Sequence, residues 1–282
     1  MIKKLKLQKN SLPGSKNIKT GIVIAVVLLL ILAGVAGWYF LAYKPAQILG
    51  EVKRKEAQQL ANDIKKVEAF YLKTLSGGSI SGFTKLAGEI VQSYGQLSAV
   101  NYVNEAFTCS AENCSFSYQL NTNGVFNIAQ KVFFGESYTA NFSEKSIDFT
   151  GIKSGMDNNP LLTAYKKKEK ISPPPCGDLL NYIYSYNSVA ASDEALKIVS
   201  PPGSEVFSLE EKLAKTGKLK YYGINSIQWE LKLPELNSNY TAILHTASIL
   251  EKQAYKDDFI IKKIDNIKDK KITGVMICKS GK

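Results

Sequence analysis

The chain contains one uninterrupted apolar stretch, and that stretch limits what the rest of the sequence can form. Residues 21–43 read GIVIAVVLLLILAGVAGWYFLAY and carry no charged side chain. As a helix rising about 1.5 Å per residue they would extend about 34 Å, enough to cross about 30 Å of hydrocarbon. Trp38, Tyr39 and Tyr43 lie together at one end, where amphipathic rings favour the membrane interface. We therefore predict a transmembrane helix that begins at Gly21.

The flanks of this helix predict its orientation. Residues 1–20 contain six lysines and no acidic residue, and basic segments of this kind stay cytoplasmic. Four basic residues also follow the helix, which weakens this signal. The cysteines decide between the two orientations, because an even number of them favours disulfides in an oxidising compartment. All of them follow the apolar stretch: Cys109, Cys114, Cys176 and Cys278. We predict a bacterial inner-membrane protein whose C-terminal bulk is periplasmic.

Two other interpretations of the apolar stretch involve proteolytic cleavage. Gly34-Val35-Ala36 fits the small-x-small site of a secretory signal, but apolar residues continue past it to Tyr43, which favours a retained anchor. A type IV pilin has a basic leader ending in Gly and a Glu at the fifth mature position. Cleavage after Gly21 would place Val26 there, so the pilin interpretation lacks its key residue.

Residues 44–76 are predicted to form a long helix after the membrane span. Apolar side chains recur about every 3.7 residues, which is a helical period, and Glu56 occupies the one polar position in this seam. We predict that the seam binds the helix of a partner, and the alternative is that it packs on the chain's own globular part. The predicted interface residues are Leu49, Val52, Leu60, Ile64, Val67 and Tyr71.

The remaining sequence predicts an α+β fold built from two similar halves. Residues 80–153 and 207–282 each have the order helix, two strands, helix, two strands, which favours a four-stranded antiparallel sheet with two helices on one face. The first half includes a predicted helix at residues 125–133, and the second a predicted strand at residues 218–224. Residues 154–206 are rich in Pro and Lys and are predicted to be a linker with a connecting helix. The expected architecture is two ferredoxin-like modules.

The cysteine spacing suggests two disulfides. Cys109 and Cys114 flank four residues at a predicted hairpin, so a bond between them would close the turn. Cys176 and Cys278 then pair by elimination. Four cysteines are also able to hold zinc, but no C-x-x-C pair is present.

No group of residues in the sequence indicates catalysis. The single histidine, His245, lies beside the apolar face of its predicted helix, so we expect it to be exposed to solvent. The acidic pairs Glu210-Glu211 and Asp257-Asp258 are interpreted as surface charge, and no phosphate-binding Gly loop or G-x-S-x-G motif is present. We expect no enzyme activity, cofactor or metal site.

The net charge of +11 does not favour nucleic-acid binding, because six of the lysines belong to the tail and Arg54 is the only arginine.

A basic tail, one membrane helix, a long helix and helix–strand modules together resemble the PilO and GspM class of inner-membrane assembly proteins. The hairpin Cys109-Ser-Ala-Glu-Asn-Cys114 is similar to that of type IVb pilus accessory proteins, including the bitopic protein of toxin-coregulated pilus operons. The resemblance implies a scaffold of a type IV pilus or type II secretion machine. It also implies pairing with other bitopic subunits through residues 44–76 and contact of the tail with a cytoplasmic ring or platform protein. Homo- and hetero-oligomers remain open.

Two other classes of function stay open: an extracytoplasmic ligand-binding or sensor protein, and a membrane-anchored enzyme. A sensor would need a partner, because twenty cytoplasmic residues are too few for a signalling domain. A hydrolase would need a nucleophile and base pair, which the sequence lacks.

Overall fold

The computed structural model describes residues 16–121, 128–234 and 240–280. The chain divides into two compact units, residues 1–62 and residues 63–282. Helices and antiparallel strands are both abundant, which confirms the predicted α+β class.

From residue 16 onward the first unit is helical. Helix α1 (Lys16–Trp38) runs into a π-helical turn (Tyr39–Tyr43), and helix α2 (Lys44–Leu75) begins in this unit and ends in the second. The segment Gly21–Leu41 is long and apolar enough to cross a membrane, and a signal sequence has the same properties. The ring of Tyr43 lies 5.7 Å from that of Trp38 and 5.6 Å from that of Tyr39. The three predicted interface aromatics therefore form one cluster.

The second unit is built on an eight-stranded antiparallel sheet with the order β5-β6-β2-β1-β9-β10-β8-β7. A separate hairpin pairs β3 with β4. The strands are β1 (Tyr102–Ser110), β2 (Asn113–Leu120), β3 (Gln130–Phe133), β4 (Glu136–Thr139), β5 (Asn141–Phe142), β6 (Ser146–Lys153), β7 (Lys197–Ile198), β8 (Ile224–Lys232), β9 (Phe259–Asp265) and β10 (Lys271–Lys279).

Among its described residues, the second unit also contains five helices and a 3-10 turn. They are α3 (Ile80–Ser98), α4 (Pro160–Lys166), α5 (Cys176–Asn187), α6 (Phe207–Lys215), α7 (Thr241–Glu251) and the 3-10 turn Lys256–Asp258. Helices α4 and α5 both lie in the segment predicted as a linker with a connecting helix. Leu179 and Ile183 of α5 are completely buried, so this helix contributes to the core.

The main core lies on one face of the sheet. Helices α3 and α7 pack side by side there, because each presents one apolar stripe, which includes Phe83 and Ile90 on α3 and Ile243 on α7. Alternate strand residues such as Ile227 and Trp229 point into the same core, since side chains two apart share a face.

The two predicted ferredoxin-like modules are not confirmed as separate units. Strand β1 pairs directly with β9, with Cys109 opposite Ile264, so strands from both halves of the chain join one continuous sheet. A four-stranded sheet in each half would have left these strands as edges, and an unpaired edge exposes backbone N–H and C=O groups. Pairing β1 with β9 satisfies those groups.

Two predicted elements are wrong. The helix at residues 125–133 is replaced over Gln130–Phe133 by strand β3, in which burial alternates with the period of two that a strand requires. Residues 125–127 of that prediction lie outside the described part of the chain. Of the residues predicted to form a strand at 218–224, only Ile224 lies in one. The amides of Tyr222 and Gly223 donate to a carboxylate instead of to a neighbouring strand.

Both disulfides are present with the predicted pairing. Cys109 and Cys114 are directly opposite each other on β1 and β2, where the bond closes the hairpin. Cys176 at the start of α5 is bonded to Cys278 on β10. The second bond connects residues that are 102 positions apart and so ties the former linker to the last strand.

Candidate functional site

The C-terminal part of α2 contributes to a second, smaller core. Ile224 on β8 and Ile277 on β10 are completely buried but point away from the main core, because they alternate with the residues that line it. The second core therefore lies on the opposite face of the sheet. The buried apolar residues that do not belong to the main core are Val67, Tyr71, Leu75, Ile171, Val206, Leu213, Tyr222, Ile224, Ile260 and Ile277.

At the centre of this core, Tyr71 of α2 donates a hydrogen bond from its hydroxyl to Glu210 Oε2 of α6 at 2.8 Å. The backbone amide of Tyr222 donates to Glu210 Oε1 at 2.6 Å, and that of Gly223 does so at 3.3 Å. The Tyr71 oxygen in turn accepts from the amide of Ile224 at 3.4 Å. Glu210 is fully buried, so these donors replace the water that its carboxylate would otherwise bind.

Burial and the adjacent Glu210 raise the pKa of Tyr71 far above its ordinary value, so its hydroxyl keeps the proton that it donates. Two further tyrosine rings surround it. The ring centroid of Tyr165 lies 5.0 Å from that of Tyr71, and the centroid of Tyr222 lies 5.5 Å from it. Burial, followed by the charge of Glu68, raises the pKa of Tyr165 to about 12. The three tyrosines are therefore neutral packing partners at neutral pH.

The C-terminal end of α2 is held by two further side chains. Lys262 Nζ on β9 donates to the carbonyl oxygen of Lys73 at 2.7 Å and of Thr74 at 2.9 Å, and it also contacts that of Ser76. A cation at this position complements the partial negative charge of a helix C-terminus. Burial, together with the nearby Lys73 ammonium, lowers the pKa of Lys262 to about 8.

Asn159 completes the same helix end. Its Nδ2 donates to the carbonyl of Leu75 at 2.8 Å and to that of Gly77 at 3.3 Å, while its Oδ1 accepts from the Leu161 amide as the N-cap of α4. One buried side chain thus joins the end of α2 to the start of α4. We call Tyr71, Glu210, Lys262 and Asn159 the α2 anchor.

The predicted partner seam is divided by this packing. Leu49 and Val52 are 56% and 44% exposed, and Leu60 and Ile64 are partly exposed. Val67 and Tyr71 are completely buried in the chain's own second core. The prediction that Val67 and Tyr71 contact a partner is therefore wrong. These two residues pack on the chain's own globular part, as in the alternative interpretation, because the second face of the sheet supplies apolar surface for them.

The sequence missed Glu210, which was interpreted as surface charge. Glu210 and Glu211 are adjacent, yet Glu211 lies on the surface and pairs with Lys215 at 2.8 Å while Glu210 is buried. The helical position of Glu210, three residues before the buried Leu213, was the available signal. A carboxylate on an apolar stripe is unusual and indicates a specific hydrogen-bonding role.

The other candidate residues do not converge on a chemical site. The side chain of His245 is 67% exposed, as predicted, and lies 2.8 Å from Glu194. Within residues 16–121, 128–234 and 240–280, no group of three or more His, Cys, Asp or Glu side chains is placed to hold a metal ion. The arrangement that the structure does build is mechanical: buried hydrogen bonds that fix one helix to the sheet.

Comparison of the chain with models of known protein families, with curated proteins and with solved structures gives no match.

Proposed function

We propose that the protein is a structural subunit of a membrane-bound assembly machine of the type IV pilus or type II secretion class, and that it acts by binding other proteins. In this proposal residues 21–43 are a retained inner-membrane anchor, residues 1–20 are cytoplasmic and contact a ring or platform protein, and the disulfide-bonded unit is periplasmic. The basic tail and the two disulfides support this orientation.

The observation that carries the proposal is the α2 anchor. Tyr71, Asn159 and Lys262 connect the C-terminal part of α2 to α6, α4 and β9 by hydrogen bonds. Leu49 and Val52, on the same helix, leave apolar side chains exposed. In our proposal the exposed apolar residues Leu49 and Val52 bind a neighbouring subunit, and the α2 anchor attaches the end of α2 to the folded unit.

The sheet consists of two four-stranded halves, which supports the interpretation of the fold as two ferredoxin-like modules. Strands β5, β6, β2 and β1 form one half, and β9, β10, β8 and β7 form the other. In our proposal these halves correspond to two ferredoxin-like modules fused along β1 and β9.

The association surface is tested by a double substitution, Leu49→Asp with Val52→Asp, in the native strain. Two buried carboxylates in a helix–helix contact are costly, so we expect loss of pilus assembly or secretion and loss of crosslinks from this part of α2 to other subunits. Gln58→Asp with Ala61→Asp is the matched control, since both side chains are exposed, lie three positions apart and carry the same added charge. Normal assembly in the Leu49/Val52 variant, at normal protein levels, would refute the proposed surface.

The membrane anchor is tested separately on the wild-type protein. We expect the mature protein from isolated membranes to retain residues 1–43, as measured by its intact mass, and to resist extraction by carbonate. A mature chain that begins after Ala36 and is released in the periplasmic fraction would identify the stretch as a signal sequence.

A further inference from the structure

The second face of the sheet has an open groove beside α2. Its floor is the solvent side of two strands, including Gln228 of β8 and Thr273 of β10, and one wall is the α2 surface around Phe70. Val206, the residue before α6, also lines the groove. The groove has a volume of about 1080 Å³.

The volume of the groove is comparable to that of a short helix. On the main-core face, α3 and α7 lie side by side on the strands, whereas on the second face α2 has an open space next to it. A helix with a diameter of about 10 Å occupies about 120 Å³ per residue at a rise of 1.5 Å. By volume alone the groove corresponds to about nine helical residues. Its apolar lining, which includes Phe70, Val206 and Val275, suits an amphipathic segment.

The charge of the groove indicates which helix would fit. Four lysines and two glutamates line it. Glu230 is already neutralised by Lys197 at 2.7 Å and by Lys271 at 3.2 Å. Lys66 and Lys73 are exposed, and neither forms an ion pair with any residue of the described segments. Glu205 offsets at most one of the remaining lysines Lys66, Lys73 and Lys262, so the net charge of the groove is positive.

The spacing of these lysines is specific. Lys66 and Lys73 are seven residues apart on α2, so they lie on one side of the helix about 10.5 Å apart along its axis. A second helix packed nearly parallel or antiparallel to α2 would meet both with carboxylates that are also seven residues apart. Such pairing would fix the register of the bound helix, because a shift by one turn would separate at least one pair.

We propose that this groove binds an acidic amphipathic helix of another protein, with Asp or Glu at positions i and i+7 facing Lys66 and Lys73. This surface is distinct from the one around Leu49 and Val52, and the inference does not depend on the class of assembly machine. It adds a second association site within the folded unit.

The test uses the full-length protein in detergent micelles and two labelled 18-residue peptides. Both peptides carry Leu on one helical face. One has Glu at two positions seven apart, and the other has Lys there. We expect the acidic peptide to bind the wild-type protein at least about tenfold more tightly, measured by fluorescence anisotropy, and to lose affinity as salt increases. Lys66→Glu with Lys73→Glu should reverse this preference, whereas Lys55→Glu with Lys65→Glu, on the same helix outside the groove, should not.

A second variant tests the groove itself. Thr273→Trp places a large ring on the floor and should abolish binding of the acidic peptide, while circular dichroism and both disulfides remain as in the wild type. Equal affinity for the two peptides, failure of the charge reversal to exchange the preference, or full binding by Thr273→Trp would overturn the proposal. A dimer that dissociates in both groove variants would overturn it too, since the occupant would then be a second copy of the chain.

Discussion

The hydroxyl of Tyr71 lies 2.8 Å from Glu210 Oε2, although 139 residues separate the two in sequence. Both side chains are completely buried, and Tyr71 belongs to the long helix that follows the apolar segment. The bond therefore connects α2 to a carboxylate that has no solvent to replace a lost donor. It is one of the hydrogen bonds of the α2 anchor.

Tyr71→Phe should destabilise the folded unit by about 1–3 kcal/mol, because it leaves a buried carboxylate without one of its donors while keeping the ring. The free energy of unfolding from urea titration, monitored by far-UV circular dichroism, measures the change. Tyr165→Phe is the matched control: its ring also packs against Tyr71, but its side chain is only half-buried, and we expect a loss below about 0.5 kcal/mol. Equal losses in the two variants would show that the hydrogen bond to Glu210 contributes nothing specific.

The two disulfides should differ in their contribution to stability. The Cys176–Cys278 bond joins residues 102 positions apart, and the Cys109–Cys114 bond joins residues only 5 apart. In the chain-entropy model, the longer loop corresponds to about 4–5 kcal/mol and the shorter to about 2 kcal/mol. Paired Cys→Ser variants, compared by urea unfolding, should therefore rank in that order. A larger loss on removing the hairpin bond would contradict this account.

Gly274 of β10 lies against the indole of Trp229 on the neighbouring strand. A Cβ at this position would lie 2.8 Å from ring atoms of Trp229 and would also collide with the carbonyl oxygen of Ile260. Gly274→Ala should therefore destabilise the protein by about 2–4 kcal/mol, since backbone cannot yield as a flexible side chain does. In contrast, Gly88→Ala in α3 meets no atom within 4 Å and should stabilise the helix by about 0.5–1 kcal/mol. Thermal unfolding of both variants tests this difference, and a stable Gly274→Ala protein would contradict it.

Asp258 makes stability depend on pH. Burial, reinforced by the neighbouring Asp257, raises the pKa of Asp258 from 3.8 to about 7. Between about pH 4 and pH 7 the folded state retains a proton that the unfolded state has lost, so the free energy of unfolding decreases as pH rises through this range.

Asp258→Asn removes this dependence. We expect it to stabilise the protein by about 1–2 kcal/mol at pH 8, after allowing for solvent screening of a partly exposed group, and to have no effect below about pH 4. Melting temperatures of the two proteins across this range provide the measurement. Asp257→Asn, at a more exposed position, serves as the control and should give a smaller effect. A stabilisation by Asp258→Asn that is independent of pH would argue against burial of the charge as its cause.

Local patterns predicted much of the secondary structure. The alternation of the apolar residues Ile227, Trp229 and Leu231 with polar ones predicted strand β8. The intervals of three and four residues between Phe83, Leu86 and Ile90 predicted helix α3. The helix predicted at residues 125–133 failed because a short apolar segment satisfies both periods, and pairing with β4 decided for the strand at Gln130–Phe133. Local patterns also could not predict the burial of Glu210, because its hydrogen-bond donors come from α2 and from the segment before β8.

The sequence by itself determined the elements whose cause is local: an uncharged apolar helix at Gly21–Leu41, the amphipathic helices and strands, and a cysteine spacing that closes the β1–β2 hairpin. Only the tertiary structure decided that β1 pairs with β9, that Val67 and Tyr71 are covered by their own chain, and that Glu210 is buried. The physical reason is that periodicity shows which side of an element avoids water. It does not show which surface covers that side, because the covering groups lie far away in sequence and meet only when the chain folds.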